Sequence, residues 1–455
     1  MTALLGTLLA FLGALGVLVT IHEYGHFQVA RSLGIKVLRF SLGFGPTLWM
    51  RRFGTDQTEF AVCAIPLGGY VKMLDEREGP VAESELPRAF NTQSVGRRFA
   101  VVVAGPLANL LLAVVVYWLM YMIGVSGPRP IIGEIQPGGI AAAAGLRSGD
   151  EIVAVDGRAT AIWDNVMATA IEAILDAREV RLQVRSAQGP EQAITLDFSG
   201  VSIDDLTRGD FFRKLGFEPR RPRLPPLIGK VVPGEAAAAA GFQPGDLVEA
   251  VDGEPIDDWL KWVTRVRASP GKTLAVGVRR EGVVLELALT PRASGLDGAI
   301  VGRIGAEVAP YQPSADALPY AIERYDPASA ALRALARTRE TALTTLKFMR
   351  KMLLGEASVD NLSGPLSIAQ FAGVSAKLGL PRFLEFLGLV SVSLGVLNLL
   401  PIPLLDGGHL MYFLLEVIMR RPVPEAIQVY GQHAGLTLLL GLMGLAMYND
   451  LMRIF

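Results

Sequence analysis

The sequence predicts a polytopic α-helical membrane protein with four transmembrane helices. Two inserted copies of a small α+β domain outside the cytoplasm complete the expected architecture. Three observations carry this expectation. Four separate segments are long and apolar enough to cross a bilayer. The chain between the second and third of them repeats itself at a constant offset of 96 residues. The composition is mixed: 455 residues, 51% hydrophobic, with a mean hydropathy of +0.38. That is too apolar for an ordinary soluble protein and too polar for one made only of membrane spans.

The first span runs from about Ala3 to Ile21 and the second from about Phe99 to Ile123. The third runs from about Phe383 to Leu400; the fourth covers about Leu436 to Met447 and is expected to start earlier. The first has no Lys or Arg before its apolar core, so it reads as a retained span rather than a cleaved signal peptide. Arg31, Lys36, Arg39, Arg51, Arg52, Lys72, Arg77, Arg88, Arg97 and Arg98 lie between spans one and two, and Arg420 and Arg421 between spans three and four. The positive-inside bias therefore predicts both loops in the cytoplasm, and both termini and the long middle segment outside. A net charge of -1 points to no nucleic-acid partner. Cys63 is the single cysteine, so no intrachain disulfide can form.

In the middle segment, IIGEIQPGGIAAAAGLRSGDEIVAVDGRAT from Ile131 aligns with LIGKVVPGEAAAAAGFQPGDLVEAVDGEPI from Leu227. Gly149-Asp150 matches Gly245-Asp246, Asp156-Gly157 matches Asp252-Gly253, and Trp163 matches Trp259. Each copy reads as strand, short Ala-rich helix, Gly-Asp turn, strand and Asp-Gly turn, with more strands to follow. The pattern resembles the circularly permuted PDZ domains of bacterial proteases. That resemblance implies a groove between a strand edge and a helix, able to hold a peptide by β-addition, though a PDZ fold can also serve as a spacer or lid. EPRRPRLPP from Glu218 has the composition of a linker between the copies. Beyond them, Leu332, Leu335, Ala342, Leu346, Met349 and Leu353 recur at helical spacing, with basic residues between. This predicts an amphipathic helix over Ser329–Leu354, on a membrane surface or against a neighbouring domain.

The first span ends in His22-Glu23-Tyr24-Gly25-His26. On a helix, His22 and His26 share one face and can aim two imidazoles at one Zn²⁺, with Glu23 beside it as a general base for water. Polar groups this deep in an apolar segment point to function. A catalytic zinc needs a third protein ligand and an open position. Asp406, after the third span, is the preferred third ligand: Pro401 and Pro403 break the helix there, and the expected depth matches that of His22. An N-cap role for Asp406, and His409 as a rival ligand, remain alternatives at this level.

The wider pattern resembles the site-2 protease family, in its branch with tandem PDZ domains. The resemblance rests on HExxH in a first span, LDG in a late one, and GFGP at Gly43 to Pro46. It extends to PLGGYVKMLDE at Pro66 to Glu76, AGPLANL at Ala104 to Leu110, NLSGP at Asn361 to Pro365 and NLLPIPLLDGGH at Asn398 to His409. It implies one Zn²⁺ per chain on His22, His26 and Asp406, with Glu23 as base. It also implies that Asn398 and Pro401 contact substrate, and that Gly43, Phe44 and Gly45 do so from a membrane-re-entrant β-hairpin. The implied activity is hydrolysis of single-span membrane proteins in the bacterial inner membrane, with the active site toward the cytoplasm and the PDZ domains in the periplasm. An anti-sigma factor already cut by another protease is the type of substrate, and remnant signal peptides are a second class. A non-catalytic PDZ scaffold is the alternative from another class, and a zinc transporter a further one. A scaffold has no use for Glu23, and a transporter would want several intramembrane ligand clusters.

The expected division is 1–125 for the first two spans, with the cytoplasmic loop and hairpin at 31–98. PDZ copies follow at 126–222 and 223–295, a linker with the amphipathic helix at 296–380, and spans three and four at 381–455.

Overall fold

The computed structural model describes residues 2–186, 189–207, 209–221, 224–296, 299–310 and 319–454. Among the described residues, four helices are long and apolar enough to cross a membrane: Leu4–Ser32, Val95–Ile123, Leu380–Asn398 and Glu425–Met452. The first belongs to α1 (Thr2–Ser32), whose Leu4, Leu5, Leu8, Leu9 and Leu12 are exposed, as lipid-facing positions are. Between α1 and α2 (Val95–Ile123) lie β1 (Val37–Phe53) and β2 (Thr58–Met73).

These two strands are not a flat hairpin. Arg39, Phe40, Ser41 and Leu42 pair on one side with Lys72, Val71, Tyr70 and Gly69, and on the other with Glu59, Phe60, Ala61 and Val62. The remainder of β1, Trp49 to Phe53, pairs with the outer side of Thr58–Val62. The hairpin has folded back on itself into four parallel-lying segments. The fold-back is possible because Gly43 and Gly45 take left-handed φ values of 86° and 82°. Segment 69–73 is left as an edge.

The repeat units follow. β3 (Val125–Pro128) leads into the first, which holds β4 (Ile132–Ile135), α3 (Ile140–Ala143), β5 (Glu151–Val155), β6 (Arg158–Ala159) and α4 (Trp163–Asp176). It continues with β7 (Glu179–Arg185), β8 (Glu191–Asp197), α5 (Ile203–Thr207), α6 (Phe211–Leu215) and β9 (Phe217–Pro219). The second holds β10 (Ile228–Val231), α7 (Ala236–Ala239), β11 (Leu247–Val251), β12 (Glu254–Pro255), α8 (Trp259–Arg267), β13 (Leu274–Arg280) and β14 (Val283–Leu289). It ends with β15 (Arg292–Leu296), β16 (Ala299–Arg303) and β17 (Ala306–Val308). The sheet orders, β6-β5-β7-β8 and β12-β11-β13-β14, are the same. Both Asp-Gly turns carry the positive φ that a two-residue hairpin turn needs, with Asp156 at 48° and Asp252 at 50°.

The copies differ in detail. β9 pairs with β4, and β17 with β10. The second unit therefore runs on to Val308, past the expected boundary at 295, because its closing strand comes after a hairpin that the first unit replaces with two short helices. The tryptophans at matching positions are not equivalent either. Trp163 is in the first core, but in the second Trp262 is the fully buried ring and Trp259 only borders it. Pro222 and Arg223, in the linker and at the expected boundary between copies, lie outside the described residues.

β18 (Tyr320–Glu323) pairs with β3, so the chain leaves the two units beside the point where it entered them. α9 (Pro327–Leu353) then packs on α2. Its buried face is Ala330, Ala334 and Thr338, small residues that allow close approach, while Leu332, Leu335, Leu343 and Leu346 point outward. The first unit is tied to this layer by charge. Lys347 Nζ stands 2.7 Å from both Asp176 oxygens, Arg158 3.3 Å from Glu340, and Asn165 donates to Glu323 at 2.9 Å. Arg382 adds an ion pair with Asp164.

The chain closes with α10 (Pro365–Lys377), α11 (Leu380–Asn398), α12 (Asp406–Met419) and α13 (Glu425–Ile454). The fourth span begins near Glu425, well before Leu436. Gln428, Gly431, His433 and Gly435 dilute its hydropathy, but this stretch packs on α12 and the loop before it: a Cβ on Gly431 would meet Tyr412 and one on Gly435 would meet Pro403. At the other end of α13, Asp450 caps α10. Its carboxylate accepts from the amides of Gly364, Leu366 and Ser367 at 2.9–3.1 Å and from the Ser367 hydroxyl. Asp450→Ala leaves those buried donors unpaired and is expected to cost about 1–2 kcal/mol, the upper range for a lost N-cap. Thermal unfolding in detergent measures it; an unchanged midpoint would remove the cap from the account.

Candidate metal centre

α1 and α2 run antiparallel and in close contact, and the contact is built around His26. A Cβ on Gly105 would come 2.2 Å from His26 Nε2, so only glycine lets the imidazole lie there. His26 Nδ1 donates to the Val101 carbonyl at 2.9 Å. With its proton on Nδ1, His26 presents the Nε2 lone pair toward α12. One turn earlier, His22 Nδ1 lies 3.2 Å from the Asn109 side-chain amide. Its Nε2 stands 3.3 Å from His26 Nε2.

Asp406 arrives from the opposite side of the bundle. The broken stretch between α11 and α12, with Pro401 and Pro403, sets it at the first residue of α12. Its Oδ2 is 3.2 Å from His22 Nε2 and 3.5 Å from His26 Nε2. The same oxygen is buried and receives no hydrogen bond of good geometry. A buried carboxylate oxygen without a donor is costly. Three basic atoms thus face one another at close range.

These spacings are those of a zinc site. Donor atoms about 2.0–2.2 Å from a tetrahedral Zn²⁺ stand about 3.3–3.6 Å from one another. The observed triangle, with sides of 3.2, 3.3 and 3.5 Å, matches. Among the described residues, His22, His26 and Asp406 form the one group of this kind. The orphaned oxygen, the two aimed lone pairs and the triangle all fit the metal. Three protein ligands leave one tetrahedral position free.

The triangle opens on a cavity of about 520 Å³. Glu23, Asn398 and segment 69–73 line it, and Phe90, Val102, Leu405 and Phe413 form an apolar wall. Gly69 is pressed between α1 and β1: a Cβ there would come 2.9 Å from Glu23 Cγ and 2.7 Å from the Ser41 carbonyl. The free edge of the folded hairpin thus runs alongside the general-base candidate.

Residues 10–442, nearly the whole chain, match peptidase family M50. The chain belongs to peptidase family M50. It is 43% identical over its full length to the regulator of sigma-E protease RseP of Salmonella typhimurium, with all of that protein covered. It is 41% identical to the Escherichia coli K12 protein of the same name, again end to end. A Neisseria meningitidis relative, provisionally named a zinc metalloprotease, is 42% identical over 98% of this chain and 99% of its own.

Within this M50 peptidase, the residues singled out in the sequence divide into two groups. His22, Glu23, His26, Asp406 and Asn398 meet at one cavity, and Asn398 Nδ2 lies 3.4 Å from His22 Nε2. Gly43, Phe44, Gly45 and Pro401 do not line it. Phe44 stands one layer back, its ring stacked on Tyr70 with centroids 6.1 Å apart. Pro401 shapes the turn that delivers Asp406. His409 is on the cavity wall but outside the triangle. Sequence reasoning assigned no role to the strand edge at 69–73. The one local signal was Gly68-Gly69, adjacent glycines inside a strand, which mark a close backbone approach.

Proposed function

We propose that this M50 peptidase is an intramembrane zinc endopeptidase that cuts single-span membrane proteins. The observation that carries the reading is the convergence of two spans, α1 and α11 with its following turn, on one triangle of zinc-ligand atoms with Glu23 alongside. When bound, zinc supplies Lewis acidity, which polarises a carbonyl and makes water more acidic. His22, His26 and Asp406 would hold it. Glu23 accepts the proton of the attacking water and returns it to the departing amine. Asn398, at the ligand triangle, offers its amide N–H to a substrate carbonyl.

A transmembrane helix is a poor substrate, because its amides and carbonyls are already paired. The chain to be cut must be extended first. Segment 69–73 supports that step: its main-chain groups on the cavity side have no strand partner, and an extended peptide can add to them as a further strand. Phe44, stacked on Tyr70, and the glycines beside it keep that edge in place, which is an indirect role for Gly43, Phe44 and Gly45.

The Lys/Arg asymmetry supports an inner-membrane protein with its zinc toward the cytoplasm, and with both termini and the repeat units in the periplasm. Both units carry the sheet and helix expected of PDZ domains. The second also has a cavity of about 460 Å³ between α8 and residues 302–308, a place for a peptide end. The outward leucines of α9, and Leu48, Trp49 and Met50 of β1, suit contact with lipid. The names of the relatives point to a substrate in sigma-E regulation, and a membrane-bound anti-sigma factor trimmed by another protease fits. A cysteine introduced near Asp75 is expected to react with an impermeant maleimide only from the cytoplasmic side, and one near Asp252 only from outside. The reverse labelling would overturn the orientation.

A further inference from the structure

Asn109 is a fully buried polar side chain of the helical bundle. It sits in the middle of α2, an apolar span, and has no exposed surface. A polar group in such a place is expensive and rarely kept for packing. Its main chain is pinned from α11, where the buried Ser391 hydroxyl donates to the Asn109 carbonyl at 2.7 Å. Its side-chain nitrogen lies 3.2 Å from His22 Nδ1, and its side-chain oxygen is buried without a hydrogen-bond partner.

The two ends of an Asn amide differ by one flip of the group, and the orphaned oxygen decides between them. If the nitrogen faces His22, it donates to Nδ1, which puts the ring proton on Nε2, pointing at Asp406. That tautomer has no lone pair for a metal. If the oxygen faces His22, Nδ1–H donates to it, the orphaned acceptor is satisfied, and Nε2 is free. This second arrangement copies the one already present at His26, where the Val101 carbonyl takes the Nδ1 proton.

We propose that Asn109 is a positioning residue of the metal centre: its side-chain oxygen accepts from His22 Nδ1 and holds that ring in the tautomer and orientation that bind zinc. The inference rests on the zinc reading above. α2 then serves both histidines, each from a different turn, by backbone for His26 and by side chain for His22. Removing an acceptor of this kind typically weakens a metal by about 10–100-fold.

The test is zinc affinity of the full-length protein in detergent, by competition with a chelator of known affinity, together with the thermal midpoint of each variant. Asn109→Leu, which keeps the branched shape and loses both amide ends, is expected to bind zinc about 10–100-fold more weakly. Asn109→Ala is the second variant, in case leucine disturbs the helix contact, and is expected to weaken binding likewise. Asn109→Asp keeps an acceptor and loses the donor. It is expected to bind zinc at least as tightly as the natural protein, which a merely structural amide would not allow. Wild-type affinity in Asn109→Leu and Asn109→Ala would overturn the proposal. So would an Asn109→Asp variant as weak as Asn109→Leu, since the acceptor would then not be what matters. A natural protein that binds no zinc would overturn the underlying zinc reading instead.

Discussion

Glu23→Gln is expected to abolish cleavage of a single-span substrate and to leave zinc bound. Glutamine has the shape of glutamate, so the contact with Gly69 and the cavity wall survive. What is lost is the site's proton acceptor. A positioned general base contributes about 10²–10⁴-fold in rate, or about 3–5 kcal/mol of barrier. The ligand variants are expected to behave differently. His22→Ala and Asp406→Ala each break the triangle and leave two protein donors, so both should lose zinc and activity together. Metal content by mass spectrometry and gel-based cleavage of a model substrate separate the two classes. Cleavage by Glu23→Gln near the natural rate would remove Glu23 from the mechanism. Full zinc in Asp406→Ala would move the third ligand elsewhere, and His409, on the cavity wall, would be tested next.

The parts of this site that are legible in sequence are the local ones. HExxH is readable because i and i+4 share a helix face, a geometry set by the backbone alone. Four spans are readable because bilayer thickness sets their length. The repeat is readable because two copies carry the same turn chemistry at Asp156-Gly157 and Asp252-Gly253. Asp406 is nearly the whole chain away from His22; matched depth and the prolines before it make it the preferred partner, with an N-cap role and His409 still open, and the family resemblance is what narrows the choice. The rest depends on tertiary contacts that leave no periodic trace. Asn109 reads as one polar residue in an apolar run until α1 is laid beside α2. The edge at 69–73 reads as a strand, and that it is an edge follows from the hairpin folding back at Gly43 and Gly45. Asp450 reads as a helix end until α10 is set on it. The start of the fourth span is hidden because glycines and polar residues dilute its hydropathy, while Gly431 and Gly435 pack on Tyr412 and the Pro403 loop.

Deleting Ile131 to Val308 is expected to let the enzyme cut a substrate that still carries a folded outer domain, and the natural protein is expected to leave that substrate intact. The deletion follows from the architecture. β3 and β18 pair with each other, and Arg129 N donates to the Pro319 carbonyl at 3.0 Å, so the two units hang from a closed neck that can be rejoined. The units cannot hold the bond being cut if they lie outside while the zinc lies toward the cytoplasm. They act before chemistry, and bulk alone is enough to act. A folded domain fixed above a narrow bundle excludes another folded domain without binding it. The ion pairs of Asp164, Asp176 and Arg158 with α9 and α11 fix the first unit in that position. Removing the units exposes those partner charges to water, where they are readily solvated, so the bundle and its zinc should survive. A substrate already trimmed on its outer side should be cut as before, and the untrimmed one at a rate approaching it. If the deletion keeps its zinc and yet fails to cut the trimmed substrate, exclusion is the wrong account, and the units recruit substrate or hold the bundle in its active form.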